Sequence, residues 1–349
     1  MPAVSVIMAV YNGAALLPET IASLHAQSFT DWELIAVDDC SKDESVAVLE
    51  SYADPRIRVI RAATNGGPVV ARNLAFAEAR GRYCAALDQD DISLPDRFAK
   101  QVAFLDAHPD TVLVSTATNF LQDGEISPGN WPRPMTPELI DWLMLVQNPI
   151  AWSSVMFRTD AARRLTPFER PKMRYVEDFD FYHRIRAFGR LAQIDEVLLH
   201  YRIHAGGASN MFNATMRDHA RKLLRERHRE WLGEDAPDFT ALLVEHVMAR
   251  EPVPDGETLE RLFEGIAMLR AAFEVRFKPD RRTAVLVDRE ISRLWWRLCR
   301  AGVRSGRIAL HQAVARWPEG VSKREGSVTD LAVSQVIGGM RAVKRGLAG

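Results

Sequence analysis

Cysteine is scarce in this 349-residue sequence: Cys40, Cys84 and Cys299 stand far apart. They form no Cys-x-x-Cys pair and no zinc-ligand spacing, which excludes a disulfide framework and a zinc-finger module and points to a reducing compartment. No run reaches the roughly 18 uninterrupted apolar residues of a membrane span. Met1-Pro2-Ala3-Val4 is not a basic region leading into an apolar run, so no secretory signal is read. The expectation is a cytoplasmic protein, with membrane contact limited to a peripheral one at the inner face. Glycine is sparse where two nucleotide-enzyme classes need it. Gly-x-Gly-x-x-Gly is absent after the first apolar run, which argues against a Rossmann dehydrogenase. Tyr11-Asn12-Gly13-Ala14 has one glycine and no neighbouring Lys or Arg, which argues against a sugar-phosphate nucleotidyltransferase. Nucleic acid is not an expected partner.

What is present is an ordinary globular composition, 47% hydrophobic and 26% charged, with enough length for a domain of about 200 residues plus an appendage. The net charge of −1 conceals an asymmetry. Residues 1–210 hold 20 Lys/Arg against 27 Asp/Glu, a balance of −7, and residues 211–349 hold 25 against 19, a balance of +6. An acidic half suits collection of divalent cations. A basic half suits an anionic surface or simply a solvated helical face.

Val4 to Val10 is a short β-branched apolar run and reads as a buried strand. Glu33–Val37, Ile57–Ile60 and Tyr83–Leu87 repeat that pattern. Helical stretches alternate with them, marked by Ile21 and Leu24, by Val46 and Leu49, and by Ala71, Leu74 and Ala75. This alternation predicts an α/β fold with a mostly parallel sheet covered on both faces. Ligands of such sheets sit at the carboxyl ends of the strands, where Tyr11-Asn12, Asp38-Asp39 and Asp88 to Asp91 fall. Further on, Phe98, Val102 and Leu105 predict a helix, and Val112–Ser115 and Thr118–Leu121 two strand pieces. Gly124–Pro134 reads as a loop, Thr136-Pro137-Glu138 as a helix start and Ser153–Phe157 as a strand. Glu177–Phe188 reads as a helix and Val197–Arg202 as a strand. Beyond residue 210 the pattern is helical. Ile291, Leu294, Trp295 and Leu298 share one face and Arg289, Arg293, Arg297 and Arg300 another. Pro318-Glu319-Gly320 reads as a linker before a second apolar stripe of Val333, Val336, Ile337, Met340 and Val343.

Each polar cluster has a chemical reading and a plain one. Asp88-Gln89-Asp90-Asp91 carries three carboxylates within four residues. They suit a hard divalent cation such as Mg²⁺ or Mn²⁺, or they are a solvated acidic turn. Asp38-Asp39 suits a base or ribose, or a turn that Ser41 caps. Arg72, early in a helix after Gly66-Gly67, suits phosphate or is a surface arginine. Glu177-Asp178 at a helix start suits a general base, or only the helix dipole. His204, after Tyr201-Arg202-Ile203, suits a metal or a phosphate, or neither.

Taken in order, the clusters Val4–Asn12, Val37-Asp38-Asp39-Cys40-Ser41, Asn65-Gly66-Gly67 with Ala71-Arg72-Asn73, Leu87–Asp91, Glu177–Asp180 and Tyr201–His204 resemble the family 2 glycosyltransferases. The resemblance covers about residues 3–210. It implies a GT-A fold, with residues 1–210 as catalytic domain and 211–349 as a helical C-terminal region for packing, oligomer or membrane-surface contact. It implies that Ala9, Tyr11 and Asn12 receive the nucleotide, with Tyr11 stacking on the base. Asp38, Asp39, Arg72, Asp88 and Gln89 would complete the nucleotide-sugar site. Asp88-Gln89-Asp90 matches the DxD motif. Asp90, Asp91 and His204 would hold Mn²⁺ or Mg²⁺, and Asp178, with Glu177 beside it, would be the catalytic base.

The implied reaction is inverting transfer from a nucleoside-diphosphate sugar, by default a UDP-sugar, to a hydroxyl of a glycan or lipid-linked acceptor, as in cell-surface polysaccharide synthesis. The QxxRW motif of processive synthases is absent, which argues against a polymerase. Asn148-Pro149-Ile150-Ala151-Trp152 stands where relatives often carry a histidine before Ser-Ser, so Trp152 is read either as part of an acceptor pocket or as core. A fold-retaining scaffold without turnover is the alternative from another class. The basic helices, with Arg341, Lys344 and Arg345, suit an anionic membrane surface or a second subunit.

Overall fold

A computed structural model describes residues 1–129, 134–204, 206–207, 214–234, 237–315 and 325–346. The chain divides into two compact units, Met1–Pro137 with Pro149–Phe212, and Glu138–Asn148 with Asn213–Gly349.

In the first unit, β1 (Val4–Val10), β2 (Trp32–Asp38), β3 (Ile57–Arg61) and β4 (Tyr83–Ala86) are parallel. Connecting helices α1 (Leu17–His25), α2 (Ser45–Glu50) and α3 (Pro68–Ala77) make that possible, because parallel neighbours need a crossover. β1 and β2 are buried along almost their whole length, which explains their uninterrupted apolar runs. Val6, Met8, Leu34, Ile21, Leu24 and Phe98 belong to one core cluster.

The parallel half is the expected sheet, and the rest makes the sheet mixed. The remaining elements of this unit are β5 (Ile92–Ser93), α4 (Arg97–Ala107), β6 (Thr111–Gln122), β7 (Glu125–Pro128), β8 (Met156–Arg158), α6 (Thr159–Arg163), α7 (Glu177–Ile185) and β9 (Arg190–Arg202). The strand order is β3-β2-β1-β4-β8-β6-β9-β5, with β7 paired to β6. β8 runs antiparallel to β4 and to β6, β6 is parallel to β9, and β5 is antiparallel to β9.

Three local expectations change. The two strand pieces at 112–121 are one strand, β6. Part of the Gly124–Pro134 loop is β7, joined to β6 through Asp123 and Gly124 with φ of 50° and 82°, the pairing that a two-residue Asp-Gly hairpin favours. Residues 130–133 of that loop lie outside the described residues. Trp152–Ser154 is a single 3₁₀ turn, and only Met156–Arg158 is strand.

The second unit is helical. It comprises the body of α5 (Pro137–Leu143), then α8 (Ala214–Leu232), α9 (Thr240–Leu242, continued by a π-turn over Leu243–Met248), α10 (Gly256–Phe277), α11 (Arg281–Ser305), α12 (Leu310–Ala315) and α13 (Val328–Gly346). Asp255 and Asp280 cap α10 and α11 by accepting from Thr258 N and Thr283 N, each at 2.7 Å. On α11, Leu294, Trp295 and Leu298 are buried as expected, whereas Arg289, Arg293 and Arg300 are exposed. On α13 the expected stripe does not face inward: Val333, Val336 and Met340 are 52–65% exposed, and Leu331 and Ser334 are buried instead. Gly338 makes the close approach to α11, where a Cβ would meet Val303 O at 2.0 Å. The linker read at 318–320 lies outside the described residues, as do the side chains of Val343, Lys344 and Arg345. Among the described residues no helix is long and apolar enough to cross a membrane.

Candidate active site

β1 ends in a loop held by side chains from two other strand ends. Ala9 pairs with Val37 in the sheet, and Tyr11, 46% exposed, follows it. The Tyr11 N–H donates to Gln89 Oε1 at 2.9 Å, and Gln89 Nε2 donates back to Tyr11 O at 3.1 Å. Asn12 adopts φ of 50°, a left-handed turn conformation that asparagine tolerates. Its Oδ1 accepts from Lys42 N, and its N–H donates to Ser41 Oγ.

Asp38 ends β2 and Asp39 follows it, and both are buried. Asp38 accepts from Ser41 N at 3.3 Å. Asp39 accepts from Gly66 N and Gly67 N, each at 2.7 Å. That carboxylate therefore shapes the loop that opens α3. Gly67 sits at φ 81° and ψ 170°, backbone that is essentially glycine's alone.

The acidic run after β4 splits into two environments. The Asp88 N–H donates to Ser153 Oγ at 2.9 Å. Burial pushes the Asp88 carboxyl up to about 6; the Asp90 and Glu177 charges add to this and the Arg72 charge opposes it. Asp90 Oδ2 lies 2.8 Å from His204 Nε2, and Arg202 Nε donates to Asp90 O at 2.8 Å. Asp91 is buried. Its Oδ1 accepts from Arg202 N at 2.8 Å, and its Oδ2 has no hydrogen-bond partner among the described residues. Burial, then the charges of Asp90 and Asp88, raise Asp91 well above the usual carboxylate range.

Arg72 is not on the surface. It is 6% exposed. Its Nε donates to Glu169 Oε2 at 2.9 Å and its Nη2 to Glu177 Oε1 at 2.6 Å, while Nη1 stands 3.9 Å from Asp88 Oδ1. Its guanidinium lies over the Trp152 ring, 5.1 Å from the centroid. Trp152 itself is buried against Phe157, Phe168 and Phe181. One guanidinium thus serves several carboxylates. Burial pushes Glu169 up to about 8 against the pull of Arg72, and the Glu177 and Asp178 charges add to the rise.

Asp178 is the second residue of α7, partly exposed, and its Oδ1 accepts from Phe179 N at 2.7 Å. It is close enough to Glu169 and Tyr182 for its charge to raise both.

The structure therefore gathers Arg72, Asp88 and Glu177 into one cluster and pairs Asp90 with His204, while Asp91 is held on Arg202 N. Tyr11 is tied to Gln89, and Asn12 to the loop after Asp38. Sequence reasoning missed Glu169, Ser153 and the anchoring role of Arg202. Glu169 lies in an irregular stretch, 97 residues from its partner, so no periodicity marks it. Arg202 carried a readable signal, its place between Tyr201 and His204. Arg97 was missed too. It is fully buried, donates to Ala86 O and Val155 O, and is lowered to about 9 by burial.

Comparison with known proteins bears on this arrangement. A family model described as glycosyl transferase family 2 matches residues 5–166. An uncharacterized glycosyltransferase of Haemophilus influenzae is 33% identical over 190 residues, 52% of this chain and 71% of that protein. The Escherichia coli UDP-Glc:alpha-D-GlcNAc-diphosphoundecaprenol beta-1,3-glucosyltransferase WfaP is 28% identical over 221 residues, 62% of this chain and 84% of that one. Among solved structures, S. aureus TarS 1–349 in complex with UDP-GlcNAc has a TM-score of 0.56 at 19% identity, covering 98% of this chain and 92% of that one. Mannosyltransferase PcManGT from Pyrobaculum calidifontis, in complex with GDP-Man and Mn²⁺, has a TM-score of 0.52 at 15% identity, with coverages of 98% and 87%. At such identities the two structures speak to the fold, which is GT-A-like.

Proposed function

The chain belongs to glycosyltransferase family 2, and we propose that it moves a sugar from a nucleoside-diphosphate sugar to an acceptor hydroxyl, with inversion. A UDP-sugar is the first donor to try, and a glycan or lipid-linked hydroxyl the first acceptor. The observation that carries the reading is the pairing of Asp90 Oδ2 with His204 Nε2 at 2.8 Å, on the strand-end edge that also carries Tyr11, Asp38 and Asp88. Residues 114 apart in sequence meet there.

These residues fit a divalent metal of a particular kind. Among the described residues no group of three or more His, Cys, Asp or Glu stands ready to hold an ion. Mg²⁺ and Mn²⁺ do not require one, since such ions commonly take one or two protein ligands and complete the shell with substrate phosphates and water. Asp90 and His204 would hold it, with Asp91 behind them. The bound ion would supply positive charge against the departing diphosphate.

The chain's own groups account for the remainder. Tyr11 and the Asp38 loop offer a face and acceptors to the nucleoside. Asp178 takes the proton of the acceptor hydroxyl as that oxygen bonds to the anomeric carbon and the carbon–phosphate-oxygen bond breaks. The WfaP likeness supports a lipid-linked acceptor.

The test is nucleoside diphosphate release from a panel of nucleotide sugars, with Mn²⁺ or with EDTA, for wild type and Asp178→Asn. Metal-dependent release by wild type, cut about 10²–10⁴-fold in the variant, is expected. Absence of metal-dependent binding of any donor on the panel would favour a scaffold that keeps the fold without turnover.

A further inference from the structure

Glu169 belongs to none of the motifs that define the proposed site, yet it is the most completely buried carboxylate near it, with 0% exposure. Burying such a group is costly unless its hydrogen bonds are made. Here both its backbone and its side chain are held by consecutive residues of α3. The Glu169 N–H donates to Asn73 Oδ1 at 3.0 Å, and Asn73 Nδ2 donates to Glu169 O at 2.9 Å. One residue earlier, Arg72 Nε donates to both Glu169 oxygens, at 3.1 and 2.9 Å. The position of Glu169 is therefore fixed from two sides.

The consequence passes through the guanidinium. With Nε held by Glu169, Nη2 points at Glu177 Oε1, 2.6 Å away, while Nη1 stays 3.9 Å from Asp88 Oδ1. The other Glu177 oxygen is buried and has no hydrogen-bond partner among the described residues. Arg72 is thus the side-chain anchor of the first residue of α7. Asp178 is the next residue, on the same helical turn. Loss of Glu169 would leave the guanidinium held only by Glu177 and the Trp152 ring, and the start of α7 less firmly placed.

We infer that Glu169 is a positioning residue: through Arg72 and Glu177 it sets where the Asp178 carboxylate stands against the acceptor hydroxyl. This rests on Asp178 being the base. Glu169 lies beneath the site and acts only through its neighbours. A misplacement of about 1 Å in a reacting group can cost on the order of 10²-fold in rate.

The experiment uses the full chain and the nucleotide sugar that wild type turns over best, with Glu169→Leu, Glu169→Gln, Asp178→Asn and the Leu/Asn double variant. Glu169→Leu removes the acceptor for Arg72 Nε, and kcat is expected to fall about 10–100-fold while donor affinity stays within about twofold. Glu169→Gln keeps an acceptor oxygen and is expected to recover most of that loss. The double variant is expected to be no slower than Asp178→Asn, because both changes disable the same group. Unchanged kcat in Glu169→Leu beside an inactive Asp178→Asn would overturn the positioning role alone. Donor affinity and turnover lost together in Glu169→Leu would also overturn it, since that is the signature of a scaffold residue. Multiplying losses in the double variant would place the action of Glu169 elsewhere. Wild-type turnover in Asp178→Asn would overturn the base assignment itself and the positioning role with it.

Discussion

At the scale of single residues, the ionisation of Glu169 gives a pH signature separable from catalysis. Burial lifts this carboxyl from an ordinary 4.5 to about 8, with Glu177 and Asp178 adding and Arg72 opposing. Between those values the folded protein keeps a proton that the unfolded chain has released. Stability from this group is therefore complete below about pH 4.5 and is lost as pH rises through about 8. Glu169→Gln removes the titration and keeps the shape. Its urea-unfolding midpoint should fall less than that of wild type between about pH 5 and about pH 8; parallel curves would show that Glu169 is ionised throughout. Asp88, also raised, is present in both proteins and cancels in the comparison. The contrast between Glu169 and Asp88 also shows what could be read in advance. Asp88 follows a strand of an alternating α/β pattern, so topology placed it at the strand-end edge where such sheets generally receive ligands. Glu169 lies between Phe168 and Arg170, outside any regular element, and its meaning comes wholly from Arg72, 97 residues away.

At the scale of elements, the strands and helices of the first hundred residues were legible because burial on both faces leaves β1 and β2 uniformly apolar. The later strands were less so. β8 has three residues and most of β9 is only half-buried, so neither carries a clear period of its own. The start of α3 shows how a loop can be specified by one carboxylate and a glycine backbone. Asp39 takes the N–H groups of Gly66 and Gly67, and Gly67 holds φ 81° and ψ 170°. A Cβ on Gly67 would meet only the Arg174 guanidinium at 3.8 Å, which is ordinary contact. The substitution Gly67→Ala thus tests conformation without a clash. It should cost about 1–3 kcal/mol of stability, read from denaturant unfolding, and should weaken donor binding through the Asp39 loop. An alanine variant as stable as wild type would mean that residues 65–68 tolerate another backbone path.

At the scale of the whole molecule, the composition shift near residue 210 suggests a single cut, yet the second unit also includes Glu138–Asn148. This short excursion is strongly apolar. Leu139, Ile140, Trp142 and Leu143 are each at most 3% exposed. Trp142 meets Phe273 edge-on, with centroids 5.8 Å apart. Leu145 O lies 2.8 Å from His228 Nε2, and the other nitrogen of that ring lies 3.0 Å from Thr240 Oγ1. Nothing in the local sequence announces this, because a half-turn of leucines looks the same whichever partner covers it. The consequence is specific. A chain ending at residue 210 keeps Leu139 to Leu145 but loses α8 and α10, which carry His228 and Phe273. Trp142 then loses Phe273, and each large apolar side chain of this excursion that is returned to water costs about 1.5–3 kcal/mol, on a protein whose total margin is of the order of 5–15 kcal/mol. Residues 1–210 expressed alone should accumulate as aggregate, and replacing Leu139, Ile140, Trp142 and Leu143 with polar residues should raise the soluble fraction on gel filtration. A soluble, monomeric 1–210 chain with the native residues would mean that the excursion finds its cover within the first 210 residues. Residues 1–210 would then be separable from the helices that follow them.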